Sequence, residues 1–199
     1  MTARPHGLLL VSGLGRCGTT LLMEMLKRGG FPLYPGATKV GHEHPANEGK
    51  VRIPDGANGA IKWLEPQRWP APHSRVVRGS IFLVRDHREQ ARSQIKLLMH
   101  GGHPVVSASN FHVKRMAASL RSDEPAARKA LAARGPMITV RFEDLVQFPK
   151  TALAGIQRFI GWPIDIDAAA RALLPRPAGA ACLPDMLEFE LLDREGGAR

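Results

Sequence analysis

The chain has 199 residues, of which 44% are hydrophobic and 23% charged, values typical of globular proteins and unlike those of disordered or membrane chains. No apolar run approaches the roughly 20 residues that cross a bilayer, and the N-terminal apolar run lacks a cleavage-site pattern, so we expect no membrane span and no secretory signal. The formal net charge of +10 favours polyanionic partners such as nucleotides, nucleic acid or an acidic membrane surface.

The length and the cysteine content indicate what kind of protein this is. A chain of this length predicts a single domain over residues 1–199. The two cysteines, Cys17 and Cys182, form neither a disulfide framework nor a metal-ligand pattern, and this favours a reduced, cytoplasmic protein. Nucleic acid is a less favoured partner, because the basic residues are scattered and no nucleic-acid-binding motif stands out.

The first third of the chain predicts a strand, a glycine-rich turn and a helix. Residues 8–12 form an apolar run typical of a buried parallel strand, and residues 19–27 place apolar side chains on one helical face. Residues 29–60, rich in Gly, Pro, His and Asn, are predicted to be a long active-site connection. A short strand over residues 60–63 follows.

Strands and helices alternate through the rest of the chain, which predicts an α/β fold with three α/β/α layers, a mainly parallel sheet and a phosphate-binding loop. The segment over residues 165–199 has no assigned role; it contains an Ala/Pro/Arg-rich connection over residues 168–181 and a last helix near residues 184–192. The other predicted elements are strands over residues 80–85 and 137–142 and helices over residues 89–99, 111–120, 124–133 and 151–160.

The turn after the first strand has the spacing of a phosphate-binding loop. Gly13 and Gly18 match the glycine positions of the ATP- and GTP-binding loop, but Thr19 stands where that loop has lysine. Without the lysine, contact with the outer phosphates of a nucleoside triphosphate is impaired. Arg16 instead places a cation inside the turn. The alternative is a tight strand-to-helix turn with a solvated arginine.

A second segment, SIFLVRDHREQARSQIK, places Arg85 at the end of a predicted strand and Ser93 two turns into the next helix. Ligands of open α/β sheets bind at the carboxyl ends of the strands. Arg85 and the glycine-rich loop are therefore expected to share one crevice. The planar guanidinium of arginine is suited to bidentate contact with a phosphate.

These segments resemble the sulfotransferases. GRCGTTLL resembles their 5′-phosphosulfate loop, LVRDHREQARSQ their 3′-phosphate motif, and ITVRFEDLVQFPKTALAGIQRFIGWP the C-terminal part of bacterial members. The resemblance implies 3′-phosphoadenosine-5′-phosphosulfate as donor, with Arg85 and Ser93 at its 3′-phosphate and no metal requirement. It implies that the 5′-phosphosulfate is held by a set of consecutive loop residues, namely Gly15, Arg16, Cys17, Gly18, Thr19 and Thr20.

Cys17 departs from the pattern, because the family has a serine there. A thiolate at a helix N-terminus has a lowered pKa, so the residue is either a redox-sensitive site or a neutral small side chain, and the second alternative is preferred. The RKG-containing segment that closes over the adenosine in cytosolic members has no clear counterpart here.

The resemblance also suggests the catalytic residues. Lys62, in AIKWLEP, matches the lysine of the K-T-H motif of cytosolic members, whereas Leu64 stands in place of its histidine. Other branches place a glutamate in the connection after the loop helix, which makes Glu43 the leading base, with Lys62 and Arg16 as the cations at the reacting group. Four residues remain alternatives to Glu43 as the base: His42, His44, Glu48 and Glu65. Three aromatic residues are expected either in an acceptor pocket or in the core: Phe31, Trp63 and Trp69.

The sequence therefore predicts a sulfotransferase that moves a sulfuryl group to a hydroxyl or amine of a small-molecule or glycan acceptor. One alternative is a magnesium-dependent small-molecule kinase of related fold, with Asp86 as metal ligand. Another is a non-catalytic nucleotide- or nucleic-acid-binding module, suggested by the departures at Cys17 and Leu64. The acceptor and the oligomeric state are not determined by these patterns.

Overall fold

The computed structural model describes residues 7–34, 58–69, 77–100 and 109–173. These residues form four strands and six helices. In chain order they are β1 (Leu8–Gly13), α1 (Thr19–Arg28), β2 (Gly59–Leu64), β3 (Val77–Val84), α2 (His87–His100), α3 (Asn110–Ala132), β4 (Met137–Arg141), α4 (Phe142–Gln147), α5 (Pro149–Ile160) and α6 (Ile166–Ala170).

The four strands form one parallel sheet in the order β2-β1-β3-β4. Every residue of β1 is buried, because this central strand is covered on both faces, and this explains its unbroken apolar run. Since all strands run in the same direction, their carboxyl ends meet along one edge of the sheet. The loops that follow β1, β2, β3 and β4 therefore emerge side by side.

Apolar side chains pack on both faces of the sheet, which gives the three α/β/α layers. Alternate residues of β1 divide between the faces: Leu9 and Val11 pack with α1, α5 and α6, whereas Leu8 and Leu10 pack with α2 and α3. The predicted α/β fold with a parallel sheet is confirmed. Within the described ranges, no helix is long and apolar enough to cross a membrane.

The interpretation of residues 111–120 and 124–133 as two helices was wrong, because α3 is one continuous helix that passes through Pro125. Pro125 is exposed, and so is Arg121, the residue whose carbonyl loses its intrahelical partner. Two buried residues beyond the proline, Ala127 and Leu131, join the core that begins with Val113 and Leu120. Packing of one helix face thus outweighs the local cost of the proline.

Two other differences lie in the C-terminal half. The helix α4 begins directly after β4, where no separate helix was predicted, with Glu143 and Asp144 in its first turn. The region predicted as a connection from residue 168 onward begins inside α6, whose N-cap is Asp165; its carboxylate accepts a hydrogen bond from the Ala168 amide at 2.9 Å. The last predicted helix, near residues 184–192, lies outside the described residues.

The continuity of α3 predicts the effect of replacing its proline. Pro125→Ala supplies an N–H for the helix and removes a steric clash, so the free energy of unfolding should rise by about 1–2 kcal/mol, measured by urea denaturation. The matched control is Pro149→Ala at the start of α5, where no intrahelical bond is missing, and it should change stability by less than about 0.5 kcal/mol. A destabilised Pro125→Ala variant would show that the chain needs a break at this position.

Candidate functional site

The candidate site is the loop over residues 14–18, which joins β1 to α1 at the carboxyl edge of the sheet. From β1 the chain moves to β2 on one side, and β3 lies on the other side of β1. The sheet thus changes direction at β1, and such switch points open a crevice in which α/β proteins bind ligands. The predicted position of the loop, between a buried strand and a helix, is confirmed.

The backbone of the loop requires its glycines. Gly13 and Gly18 have φ values of 155° and 102°, which side chains rarely allow. A Cβ on Gly13 would lie 2.6 Å from the carbonyl oxygen of Leu83, and one on Gly18 would collide with the ring of Phe142. Arg16 also has a positive φ, of 67°, a conformation uncommon for residues other than glycine. Unusual backbone of this kind is concentrated at functional sites.

The carbonyl groups of the loop are tied to the surrounding elements. The carbonyl of Gly13 accepts a hydrogen bond from the Glu65 amide at 3.0 Å, and that of Arg16 accepts one from Nη1 of Arg85 at 3.4 Å. The Cys17 amide donates to Leu14 O at 3.2 Å. The oxygens of the loop backbone are thus directed into the protein, which is the orientation an anion-binding loop needs.

Two glutamines of α2, which the sequence analysis did not single out, also bind the loop. The side-chain nitrogen of Gln90 donates to the carbonyls of Leu14 and Gly15 at 3.1 and 2.7 Å, and that of Gln94 donates to the carbonyl of Gly15 at 3.0 Å. Their four-residue spacing, with Ser93 on the same helical face, was the available signal. That spacing alone does not reveal which loop the face contacts.

Three cationic side chains lie around the loop. Nε of Arg16 donates to Oγ of Ser93 at 3.1 Å, and Nζ of Lys62 donates to Oγ1 of Thr20 at 2.9 Å. Arg85 donates to the loop carbonyl described above. Arg16 and Ser93, 77 positions apart in the chain, are thus in direct contact, and Arg85 lies at the same loop, as the shared crevice requires.

Phe142 connects the end of β4 to this cluster. The guanidinium carbon of Arg85 lies 4.5 Å from the centroid of the Phe142 ring, a cation–π contact. The same ring lies against Gly18. Stacking on a ring restricts the guanidinium to one plane. Phe142 thereby positions Arg85 at the N-terminus of α1.

Lys62 lies in an environment that opposes its charge. Burial lowers the pKa of the Lys62 ammonium to about 7, with the nearby Cys17 sulfur acting in the opposite direction and the Arg16 guanidinium lowering it further. A lysine with such a pKa is close to half protonated at neutral pH. An anion bound beside Lys62 would favour the protonated form.

Cys17 is buried beneath the loop, with 1% of its surface exposed. Burial raises the pKa of the Cys17 thiol to about 12, although Lys62 lowers it in part. The thiol is therefore protonated at neutral pH. The alternative of a reactive thiolate with a lowered pKa was wrong, because removal from water outweighs the helix N-terminus.

Of the five candidate bases, the structure describes Glu65. Glu43, His42, His44 and Glu48 lie outside the described residues. Glu65 follows β2 with a left-handed backbone, φ 49°, and a Cβ built on Gly15 would lie 3.6 Å from its Oε1 atom. Its carboxylate pairs with Arg68 at 3.3 Å, and Arg68 also pairs with Asp123 of α3 at 2.5 Å.

The structure places the three aromatic residues and the acidic residue that the sequence analysis named as further candidates. Phe31 and Trp63 are 5% and 2% exposed and belong to the two faces of the core, whereas Trp69 is half-buried. The Asp86 carboxylate, the metal ligand of the kinase alternative, accepts hydrogen bonds from the amides of residues 88 and 89 at 3.0 and 2.9 Å. It thus caps the start of α2.

Comparison with solved structures shows the fold that this site belongs to. The chain is similar to the sulfotransferase domain of the Synechococcus PCC 7002 olefin synthase, with a TM-score of 0.51, 15% identity, and coverage of 93% of this chain and 83% of that domain. It is also similar to a sulfotransferase from Alicyclobacillus acidocaldarius, with a TM-score of 0.49, 14% identity, and coverage of 98% and 93%. No protein-family model and no curated protein sequence matches the chain. The olefin-synthase comparison shows a shared fold.

The pKa of Lys62 predicts how stability depends on pH. The folded protein holds fewer protons than the unfolded chain between about pH 7 and the ordinary lysine pKa of 10.5, so stability should rise with pH in that window. Lys62→Met keeps the apolar stem and removes the charge, and it should be more stable than the parent at pH 6. That difference should shrink by at most about 1.4 kcal/mol per pH unit above pH 7.

The control for this experiment is Lys114→Met, because Lys114 is exposed on α3. Urea denaturation of the parent and both variants from pH 6 to 10 measures the effect. A stability difference for Lys62→Met that is constant over this range would contradict the lowered pKa.

Proposed function

We propose that this protein is a sulfotransferase that uses 3′-phosphoadenosine-5′-phosphosulfate as donor and transfers its sulfuryl group to a hydroxyl or amine. The observation that carries the proposal is the cluster of Arg16, Lys62 and Arg85 around a glycine loop that has threonine at position 19. This site provides cations from three elements in place of the loop lysine of nucleoside-triphosphate enzymes. The shared fold with a sulfotransferase domain is consistent with it.

The 5′-phosphosulfate fits the loop and the start of α1. Backbone amides among residues 15–20, apart from the Cys17 amide that donates to Leu14 O, and the hydroxyls of Thr19 and Thr20 supply donors. The positive end of the α1 dipole favours an anion. The carbonyls of residues 14, 15 and 16 accept hydrogen bonds from protein donors, which reduces their repulsion of the anion. Cys17 supplies no donor in this arrangement, because its side chain is buried and its amide donates to Leu14 O.

The 3′-phosphate is assigned to Arg85 and Ser93, which both contact Arg16. Arg85 is held flat by Phe142, and a fixed guanidinium can donate two parallel hydrogen bonds to a phosphate. The Ser93 hydroxyl already accepts from Arg16, so its own hydrogen remains available for an acceptor oxygen. A 5′-nucleotide without a 3′-phosphate would lack these contacts.

Transfer is an in-line displacement at sulfur. A lone pair of the acceptor oxygen or nitrogen forms the new bond to sulfur while the bond between sulfur and the bridging phosphate oxygen breaks. The bond electrons remain on the phosphate, which leaves as adenosine 3′,5′-bisphosphate, and the acceptor proton passes to a base. Positioning and electrostatic stabilisation supply most of the rate enhancement.

Lys62 and Arg16 are proposed to stabilise the charge that develops on the bridging oxygen. The Nζ atom of Lys62 reaches the start of α1, where it donates to Thr20. A bound anion raises the pKa of Lys62 and thus favours its protonated form. Glu43 is proposed as the general base, in the connection that would also select a small-molecule or glycan acceptor. A soluble, cytoplasmic location belongs to the same proposal.

The two alternatives receive less support from the site. In the kinase alternative Asp86 binds magnesium, but its carboxylate caps α2. A binding module for nucleotides or nucleic acid would use the same cations without transfer. Ligand specificity separates these three functions.

The donor assignment predicts that adenosine 3′,5′-bisphosphate binds without magnesium. At a concentration 100 times its dissociation constant it should stabilise the protein by about 2.7 kcal/mol, because it binds only the folded state. Thermal denaturation with the bisphosphate, with ATP and magnesium, and with a short DNA duplex measures this. Stabilisation by ATP with magnesium but not by the bisphosphate would favour the kinase, and stabilisation by DNA alone would favour the binding module.

Arg85→Ala should weaken binding of adenosine 3′,5′-bisphosphate by about 2–4 kcal/mol, because the partly buried 3′-phosphate loses its cationic partner. The binding of adenosine 5′-phosphate should be weakened much less, since this nucleotide lacks the 3′-phosphate. Arg85→Lys keeps the charge but not the planar fork and should lie between the parent and Arg85→Ala. Arg88→Ala, an exposed arginine of α2, controls for net charge. Equal losses for both nucleotides in calorimetry would show that Arg85 does not read the 3′-phosphate.

A further inference from the structure

One face of α2 lies against the glycine loop. Residues 90, 93 and 94 share this face because they are three and four positions apart. Gln90 and Gln94 both donate to the carbonyl of Gly15, at 2.7 and 3.0 Å, and Ser93 accepts from Nε of Arg16 at 3.1 Å. Gln90 also donates to the carbonyl of Leu14 at 3.1 Å, so three side chains of one helix contact three successive loop residues, 14 to 16.

The side chains of Gln90 and Gln94 lie close against the loop backbone. Gln90 is 2% exposed, and burying a carboxamide is unfavourable unless its polar atoms are hydrogen-bonded. A Cβ on Gly15 would lie 2.9 Å from the side-chain nitrogen of Gln94, so Gln94 occupies the space that a side chain at residue 15 would need. Gln94 in this position would have to shift if residue 15 carried a side chain.

The orientation of the Gly15 peptide matters for anion binding. If this peptide rotated, its carbonyl would approach the space above the loop and repel a bound anion. Glycine permits such rotation more readily than any other residue. Two donors aimed at the same oxygen oppose it, because rotation would break both hydrogen bonds.

We infer that Gln90 and Gln94 are positioning residues that hold the loop carbonyls away from the bound anion and thereby set the affinity of the loop for the 5′-phosphate group. The inference rests on the proposed function for the identity of the nucleotide. The loop itself is also tested with a simple anion. Loss of a glutamine should weaken the binding of ligands with and without a 3′-phosphate by the same factor. Loss of Arg85, which also donates to the Arg16 carbonyl, should weaken ligands with a 3′-phosphate much more than those without one.

The experiment uses calorimetry with inorganic pyrophosphate, adenosine 5′-phosphate and adenosine 3′,5′-bisphosphate. Gln94→Met, which keeps the length and removes the donor, should weaken all three by about 5- to 30-fold. Gln90→Met should have a larger effect on affinity and on stability, because Gln90 is buried. Gln157→Met is the matched control: Oε1 of Gln157 accepts from the Ile164 amide at 3.0 Å, away from the loop, so this variant should lose stability without losing affinity.

Gln94→Glu adds a readout that a purely structural role would not produce. At pH 7.5 the introduced carboxylate repels the Gly15 carbonyl and the anion, so pyrophosphate should bind more weakly than to Gln94→Met. At pH 5 the carboxyl begins to protonate and can donate a hydrogen bond, so the affinity ratio to the parent should partly recover. The ratio for Gln94→Met should stay constant over the same range.

Unchanged pyrophosphate affinity in Gln94→Met, or a loss confined to the bisphosphate, would overturn the inference. If the parent binds pyrophosphate and adenosine 5′-phosphate but does not prefer the bisphosphate, the proposed donor is wrong, and the pyrophosphate series alone decides the role of the glutamines. A parent protein that binds none of the three anions would overturn both proposals.

Discussion

The orientation of the loop carbonyls from Gly13 to Arg16 is the constraint on which the rest of the candidate site depends. A short strand-to-helix loop has no regular hydrogen-bond ladder, so other elements must supply partners for its backbone. Here the partners are the amide of Glu65 after β2, Arg85 after β3, and two glutamines of α2. Parallel strands make this possible, because their carboxyl ends bring these elements to one edge of the sheet.

Electrostatics at the loop follow from the same convergence. Arg16, Lys62 and Arg85 come from three separate segments, and burial lowers the pKa of Lys62 to about 7. Placing these cations together costs stability in the absence of an anion, and a bound phosphate or sulfate group would offset that cost. The opposite shift at Cys17, whose pKa burial raises to about 12, has the same cause, since burial disfavours the charged form of both groups. This balance of charge is what the proposed anionic donor would require.

Local sequence patterns predicted the elements that are marked by one uninterrupted pattern of apolar residues or glycines. The apolar runs of β1 and β3, the glycine turn and the amphipathic α1 all follow from hydrophobic periodicity and glycine spacing. The same approach divided α3 at Pro125, because a proline is a strong local signal for a helix end. Burial of Ala127 and Leu131 on the core face overrides that signal, and no local window contains this information.

The sequence by itself determined the strand-loop-helix unit and the absence of the loop lysine, and it predicted four candidate site residues: Arg16, Lys62, Arg85 and Ser93. Each of these depends on residues that are close in the chain or on a motif of fixed spacing. Only the tertiary structure decided that Gln94 binds Gly15, 79 positions away, and that burial shifts the pKa values of Lys62 and Cys17. These properties depend on which groups contact and bury one another. Those contacts are set by the packing of α2 and β2 against the loop.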